Sequence, residues 1–162
     1  MDTVTWVEKI NSSGNLGAEE IKRSLRKAKY FAGIITISQL SELHINSLPV
    51  SFMVNFDSHW IAFFVSENTL EIFDSTSKIW KNPPKEFIKF ICLHCSKHVH
   101  INNALQSNKT NICDLYVILF IKLKSRLWSW REIIDLFNCK RIINDSTVSK
   151  IFLNNIPKHR TR

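Results

Sequence analysis

"SFMVNFDSHWIAFFVSENTLEIFDSTS", residues 51–77, decides how this chain folds. Within and just before it, "PVSFMVNF", "HWIAFFV" and "TLEIF" are rich in β-branched and aromatic residues and read as strands. Only the short polar "SEN" separates the last two, which predicts a hairpin. In an antiparallel hairpin the start of one strand lies beside the end of the next. His59 opens "HWIAFFV" and Asp74 closes the strand that follows, so the two are expected to be neighbours. A carboxylate would then hold one nitrogen of an imidazole.

Outward from this hairpin the chain alternates in character. "AEEIKRSLRKAKY" places Ile21, Leu25 and Ala28 at helical spacing, and "AGIITI" after it reads as a strand. "PPKEFIKFICLHC" carries Pro84 in a first-turn position and reads as a helix, and "HVHI" as a further strand. "CDLYVILFIKLKSRL" has no period to separate helix from strand; its length predicts a buried helix. "SWREIIDLF" and "DSTVSKIFLNN" read as two more amphipathic helices. Helices at both ends of a central run of strands predict an α+β class. No repeat or linker divides the chain, so residues 1–162 are expected to form one domain.

The composition excludes several classes. With 44% hydrophobic and 11% aromatic residues the chain can bury a core, and three glycines and four prolines exclude collagen-like or mucin-like sequence. The first twenty residues are polar and hold no apolar h-region, so the protein is not expected to be secreted. No apolar run approaches the roughly 18 residues of a membrane span, and no membrane association is expected. The charge of +8 is uneven: residues 1–120 carry 12 basic and 11 acidic side chains, residues 121–162 carry 10 and 3. Lys22, Arg23, Arg26, Lys27 and Lys29 form a second cluster. Such clusters are either solvated faces or contacts with a polyanion, where bound cations release counterions.

Four cysteines, Cys92, Cys95, Cys113 and Cys139, are expected as free thiols. Cys92, Cys95, His98 and His100 invite a zinc reading. They fall within nine residues, without the spacer that separates two ligand pairs, so no metal is expected. Cys113 differs. It follows the polar "QSNKTN" and opens the long apolar helix, where the positive end of the helix dipole favours an anionic sulfur. A base held by an acid calls for such a nucleophile. Gln106, seven residues before Cys113, could join the backbone N–H of Cys113 in binding an oxyanion.

His59, Asp74, Gln106 and Cys113, in that order and spacing, resemble the adenovirus protease (adenain-like) family and its relatives in virus-like elements and SUMO-deconjugating enzymes. Members carry His-Trp opening a strand, an acid closing the next, and a glutamine seven residues before the nucleophile, as "QSNKTNIC" does here. "LRKAKYFAGIITISQL" is similar to the family's N-terminal helix and first strand, and the likeness runs over about residues 15–125. It implies a papain-like α+β fold with a mixed sheet flanked by helices. It implies Cys113 as nucleophile, His59 as base, Asp74 as its orienting acid and Gln106 as oxyanion amide. Trp60 matches an aromatic packed beside the site, or is simple core. Cys95, eleven residues before Gln106, matches a cysteine that pairs with an activating viral peptide by a disulfide.

The resemblance further implies a cysteine endopeptidase, acting as a monomer on viral capsid or core precursors at glycine-containing sites. Its place would be the virion or the host nucleus or cytoplasm. DNA would be a cofactor, held by the basic C-terminal region. Two alternatives stay open: a deconjugating peptidase for a ubiquitin-like tail, and a catalytically silent nucleic-acid-binding relative. The second alternative rests on Asp114, where the family has glycine after the nucleophile. Asp114 is either a favourable acidic residue in a helix capped by Asn111, or a charge that opposes a thiolate beside it.

Overall fold

The computed structural model describes residues 16–154. The polar N-terminal stretch, the end of the last expected helix at Asn155, and Lys158, Arg160 and Arg162 of the basic tail lie outside them. Five strands form one mixed sheet in sequential order: β1 (Phe31–Thr36), β2 (Val50–Phe56), β3 (His59–Val65), β4 (Thr69–Phe73) and β5 (His98–Ile101). The central pairs, β2 with β3 and β3 with β4, are antiparallel, while the two edges, β1 on β2 and β5 on β4, pair in parallel. β3, at the centre, is buried along its whole length. This is the α+β class expected from the sequence.

Alternation along β3 sends its side chains to two cores. Trp60, Ala62 and Phe64 face helix α4 (Cys113–Lys124), joined by α1 (Ala18–Leu25), α5 (Trp130–Ile134) and α6 (Arg141–Asn154). Ile61, Phe63 and Val65 face α3 (Lys85–Leu93), a 3-10 turn at Lys78–Lys81 and the four-residue α2 (Ile37–Leu40). Aromatic rings join each layer to the sheet. Phe73 stacks on Phe120 with centroids 4.7 Å apart, and Phe63 meets Phe90 edge-on at 5.5 Å.

α4 is apolar all round because it is enclosed all round. Every residue in it is buried except Lys122. Several boundaries differ from the sequence reading, among them three with a visible cause. α1 ends at Leu25 rather than Tyr30, because Tyr30 adopts a left-handed φ of 73° that turns the chain into β1. β1 stops at Thr36, whose hydroxyl and N–H form a reciprocal cap with Gln39 and start α2. α6 begins at Arg141, four residues before the expected Asp145. Ile142 and Ile143 are exposed there and break the amphipathic pattern that marks a helix in sequence.

Candidate active site

The turn between β2 and β3 places His59. Asp57 and Ser58 both have positive φ, 48° and 61°, and Phe56 pairs with His59. A two-residue loop of this kind matches the right-handed twist of the strands it joins. His59 therefore starts β3 at the end of the sheet. β4 stops one residue before Asp74, and the two side chains meet: His59 Nε2 lies 2.6 Å from Asp74 Oδ1.

The β3–β4 register adds a residue that sequence reasoning missed. Ala62 pairs with Phe73, so three steps back along β3 correspond to three forward, 59 to 76. Thr76 Oγ1 sits 3.1 Å from His59 Nε2 and donates to Asp74 Oδ1 at 3.1 Å. Asp74 is otherwise saturated. Thr76 N–H donates to Oδ1 at 2.9 Å and Ile79 N–H to Oδ2 at 3.1 Å. Its backbone is gripped by Asn102, whose amide donates to Asp74 O at 2.9 Å and whose oxygen accepts from Asp74 N–H at 3.1 Å.

Burial opposes charge on both partners, and their mutual contact overcomes it. For His59, burial alone would favour the neutral ring. Hydrogen bonds and charge from Asp74 and Cys113 outweigh it and raise the pKa from 6.5 to about 9. For Asp74, burial pushes upward, but His59 and the N–H groups of Ile79 and Thr76 hold it below the ordinary carboxylate value. Cys113 therefore acts on His59 alongside Asp74, while Thr76 Oγ1 shares the Nε2 edge with the carboxylate. His59 is an imidazolium at neutral pH.

Cys113 is the first residue of α4 and is buried. The helix cap is Ile112, with no side-chain capping bond, and not Asn111 as the sequence suggested. Asp114 has another task. Its Oδ2 accepts the N–H of Leu16 at 2.6 Å and its Oδ1 the N–H of Leu115 at 2.8 Å. Burial raises its pKa to about 6 against those two bonds. Its partners are backbone donors, Leu16 just before α1 and Leu115 of α4 itself, and His59 is not among them.

Gln106 lies in the loop between β5 and α4 and is buried. Ser75, next to Asp74, donates its hydroxyl to Gln106 Oε1 at 2.7 Å, and Ser75 O accepts the N–H groups of Leu105 and Gln106. The acid and the amide are therefore joined through one residue. Gln106 Nε2 gives one hydrogen to Thr110 O at 2.9 Å. The loop is fastened in turn by Asp145 of α6, which accepts from Ser107 N–H, the Ser107 and Thr110 hydroxyls and Tyr116 OH. Burial and Asp145 hold that phenol protonated, well above its usual range. Asp145 had no signal in sequence beyond its type.

The remaining expected residues are scattered. Trp60 belongs to the apolar core that also contains Cys113. Cys95 is exposed in the turn after α3, as are Cys92 and Cys139 elsewhere on the surface. His98 and His100 meet edge to face in β5, and His100 stacks on Trp130. Among the described residues no helix is long and apolar enough to cross a membrane.

No family model matches the sequence, and no curated protein does. Among solved structures the chain is similar to the SUMO protease Ulp1 with its catalytic cysteine oxidised to a sulfinic acid. That match has a TM-score of 0.50 and 13% identity over 92% of this chain and 84% of the other. A second Ulp1 structure, with the cysteine as a sulfenic acid, gives 0.49 and 14% over 89% and 82%. At such identity the likeness is one of fold: a mixed five-stranded sheet between helices, as in the papain-like and adenain-like proteins.

Proposed function

We propose that the chain is a cysteine peptidase with Cys113 as nucleophile, His59 as base and acid, Asp74 as orienting acid and Gln106 as oxyanion donor. The observation that carries it is the buried His59–Asp74 pair at 2.6 Å, with the buried Cys113 opening α4 and acting on the same imidazole. An imidazolium at neutral pH beside a thiol at a helix N-terminus favours a thiolate–imidazolium pair. The sulfur attacks the scissile carbonyl carbon, and the carbonyl electrons move to its oxygen. The Gln106 amide, whose contact to Thr110 Oγ1 is a long 3.5 Å, and the Cys113 N–H receive that oxyanion. Collapse breaks the C–N bond, and His59 gives its proton to the leaving amine. His59 then takes a proton from water, which attacks the thioester and releases the acid.

The Gln–Cys spacing of the adenain-like pattern supports an endopeptidase for viral capsid or core precursors at glycine-containing sites. The fold shared with a SUMO protease supports removal of a ubiquitin-like tail instead. DNA on the basic C-terminal region, and a peptide disulfide-bonded to the exposed Cys95, are proposed activators. A peptide probe carrying a thiol-reactive acyl-type group separates these readings from a silent relative. Rapid labelling of wild type at neutral pH, lost in Cys113→Ser and His59→Ala, supports the peptidase. If Cys113 reacts no faster than Cys92, Cys95 or Cys139, the peptidase reading fails. Offering probes ending in an internal glycine sequence or in a SUMO tail then ranks the substrate classes, and labelling with and without DNA or reductant tests the activators.

A further inference from the structure

Ser75 stands between the two halves of the candidate site. Asp74 before it is bonded by His59, Thr76, Ile79 and Asn102. The Ser75 hydroxyl serves none of those contacts and goes instead to Gln106, 31 positions along the chain. Ser75 is wholly buried and Gln106 is 2% exposed, so solvent cannot readily replace either partner.

The grip on Gln106 has two points. Ser75 O accepts the N–H of Leu105 at 2.7 Å and that of Gln106 at 2.8 Å, which fixes the backbone. Ser75 Oγ donates to Gln106 Oε1 at 2.7 Å, which fixes the carbonyl end of the side chain. The nitrogen end is thereby turned to Thr110, three residues before Cys113, where Nε2 donates to Thr110 O at 2.9 Å. The two ends of a glutamine amide are alike in shape and differ in what they can bond. Interchanged, Oε1 would face the Thr110 carbonyl oxygen, two acceptors with no proton between them. Only the nitrogen end can receive an oxyanion, and a hydrogen donated to the amide oxygen strengthens the N–H groups as donors.

We propose that Ser75 is a positioning residue for the oxyanion amide, its hydroxyl holding and polarising Gln106 so that the N–H end meets the developing charge. This role rests on the peptidase reading and deepens it. Removing the hydroxyl keeps the backbone grip but leaves a buried carbonyl oxygen without its side-chain donor. The amide then turns to find another, and the cost falls on the step that builds negative charge on the substrate oxygen. The His59–Asp74 pair is held by other groups and keeps its geometry.

Two reactions of Cys113 in the full chain separate these effects. Alkylation by iodoacetamide expels iodide from a saturated carbon, builds no tetrahedral oxyanion and reports the thiolate. Hydrolysis of N-acetylglycine p-nitrophenyl ester passes through an oxyanion in both acylation and deacylation, and nitrophenolate release gives kcat and KM. In Ser75→Ala, kcat for the ester should fall about tenfold at unchanged KM. The alkylation rate and its pH profile should stay within about twofold of wild type. Ser75→Ala with Gln106→Ala should be no slower than Gln106→Ala alone, because both changes act on one donor. Ser75→Gly removes the same hydroxyl and gives the same readout should Ser75→Ala fail to fold. The positioning role falls if Ser75→Ala turns over the ester as wild type does, or if the two substitutions add fully. It also falls if alkylation and ester hydrolysis drop together, which would mark Ser75 as a general support of the fold. Wild type that hydrolyses the ester no faster than Cys113→Ser would instead overturn the peptidase reading, a comparison in which Ser75 is untouched.

Discussion

His59 is held against a buried carboxylate whose charge sustains its own, and the pH behaviour of the molecule follows from that. Its folded pKa, about 9, stands above the ordinary 6.5. The stability this contributes is complete below about pH 6.5 and lost as pH rises through about 9. Asp74 is shifted the other way, so its contribution is present above the ordinary carboxylate value and lost as acid titrates it. If the proposed mechanism holds, the alkaline limb of kcat/KM should fall near pH 9, and Asp74→Asn should move it towards 6.5. An unmoved limb would mean that Asp74 does not set the imidazole. Gln106→Ala should lower kcat by about 10²–10³-fold at unchanged KM, read from steady-state kinetics. Asp114→Gly should leave the labelling rate of Cys113 within about threefold. Its cost should appear in urea unfolding, at about 1–3 kcal/mol, from the lost bonds to Leu16 and Leu115.

At the scale of elements, the loop carrying Gln106 is as ordered as the α6 carboxyl that fastens it. Asp145→Asn should slow turnover about tenfold by letting that loop shift. Combined with Gln106→Ala it should add little, since both act on one donor. Full additivity in that double-variant comparison would show that Asp145 acts elsewhere. The His59–Asp74 neighbourhood and the place of Cys113 were readable in the sequence because each of the three stands at or beside an element end, whereas Gln106, in mid-loop, was marked only by its spacing from Cys113. Thr76 was obscured by the count of loop residues, since only the register shows that position 76 comes opposite His59. Asn102 and Asp145 act on residues 28 and 38 positions away, through contacts that no local period encodes. The strands and the buried helix were readable from composition and length. The start of α6 was not, because its two exposed isoleucines carry the wrong pattern. Gly33 offers a test of β1: space around it is open, but its φ is 133°. Gly33→Ala should therefore destabilise by about 1–3 kcal/mol through the backbone alone, measured by thermal melting.

Across the whole molecule, one ion pair crosses from the sheet to α4. Lys124 Nζ lies 2.9 Å from a Glu71 oxygen and 4.4 Å above the Phe64 ring, with both charged side chains buried. Burial raises the Glu71 pKa more than Lys124 lowers it, so the pair does not recover all of its desolvation. Lys124→Met alone should cost about 3–5 kcal/mol by leaving Glu71 buried and unpaired. Lys124→Met with Glu71→Leu should match or exceed the wild-type melting temperature. The sequential strand order has a consequence in time. A chain emerging from the ribosome completes the sheet, and with it His59 and Asp74, once residue 101 is out. The thiol arrives later, on a helix that must slide between that sheet and the first helix made. α4 is the last large piece of core to be supplied, and until it docks one face of the sheet stays wet. Under the proposed mechanism, a chain stalled before residue 113 would hold the proposed base and acid and lack the proposed nucleophile.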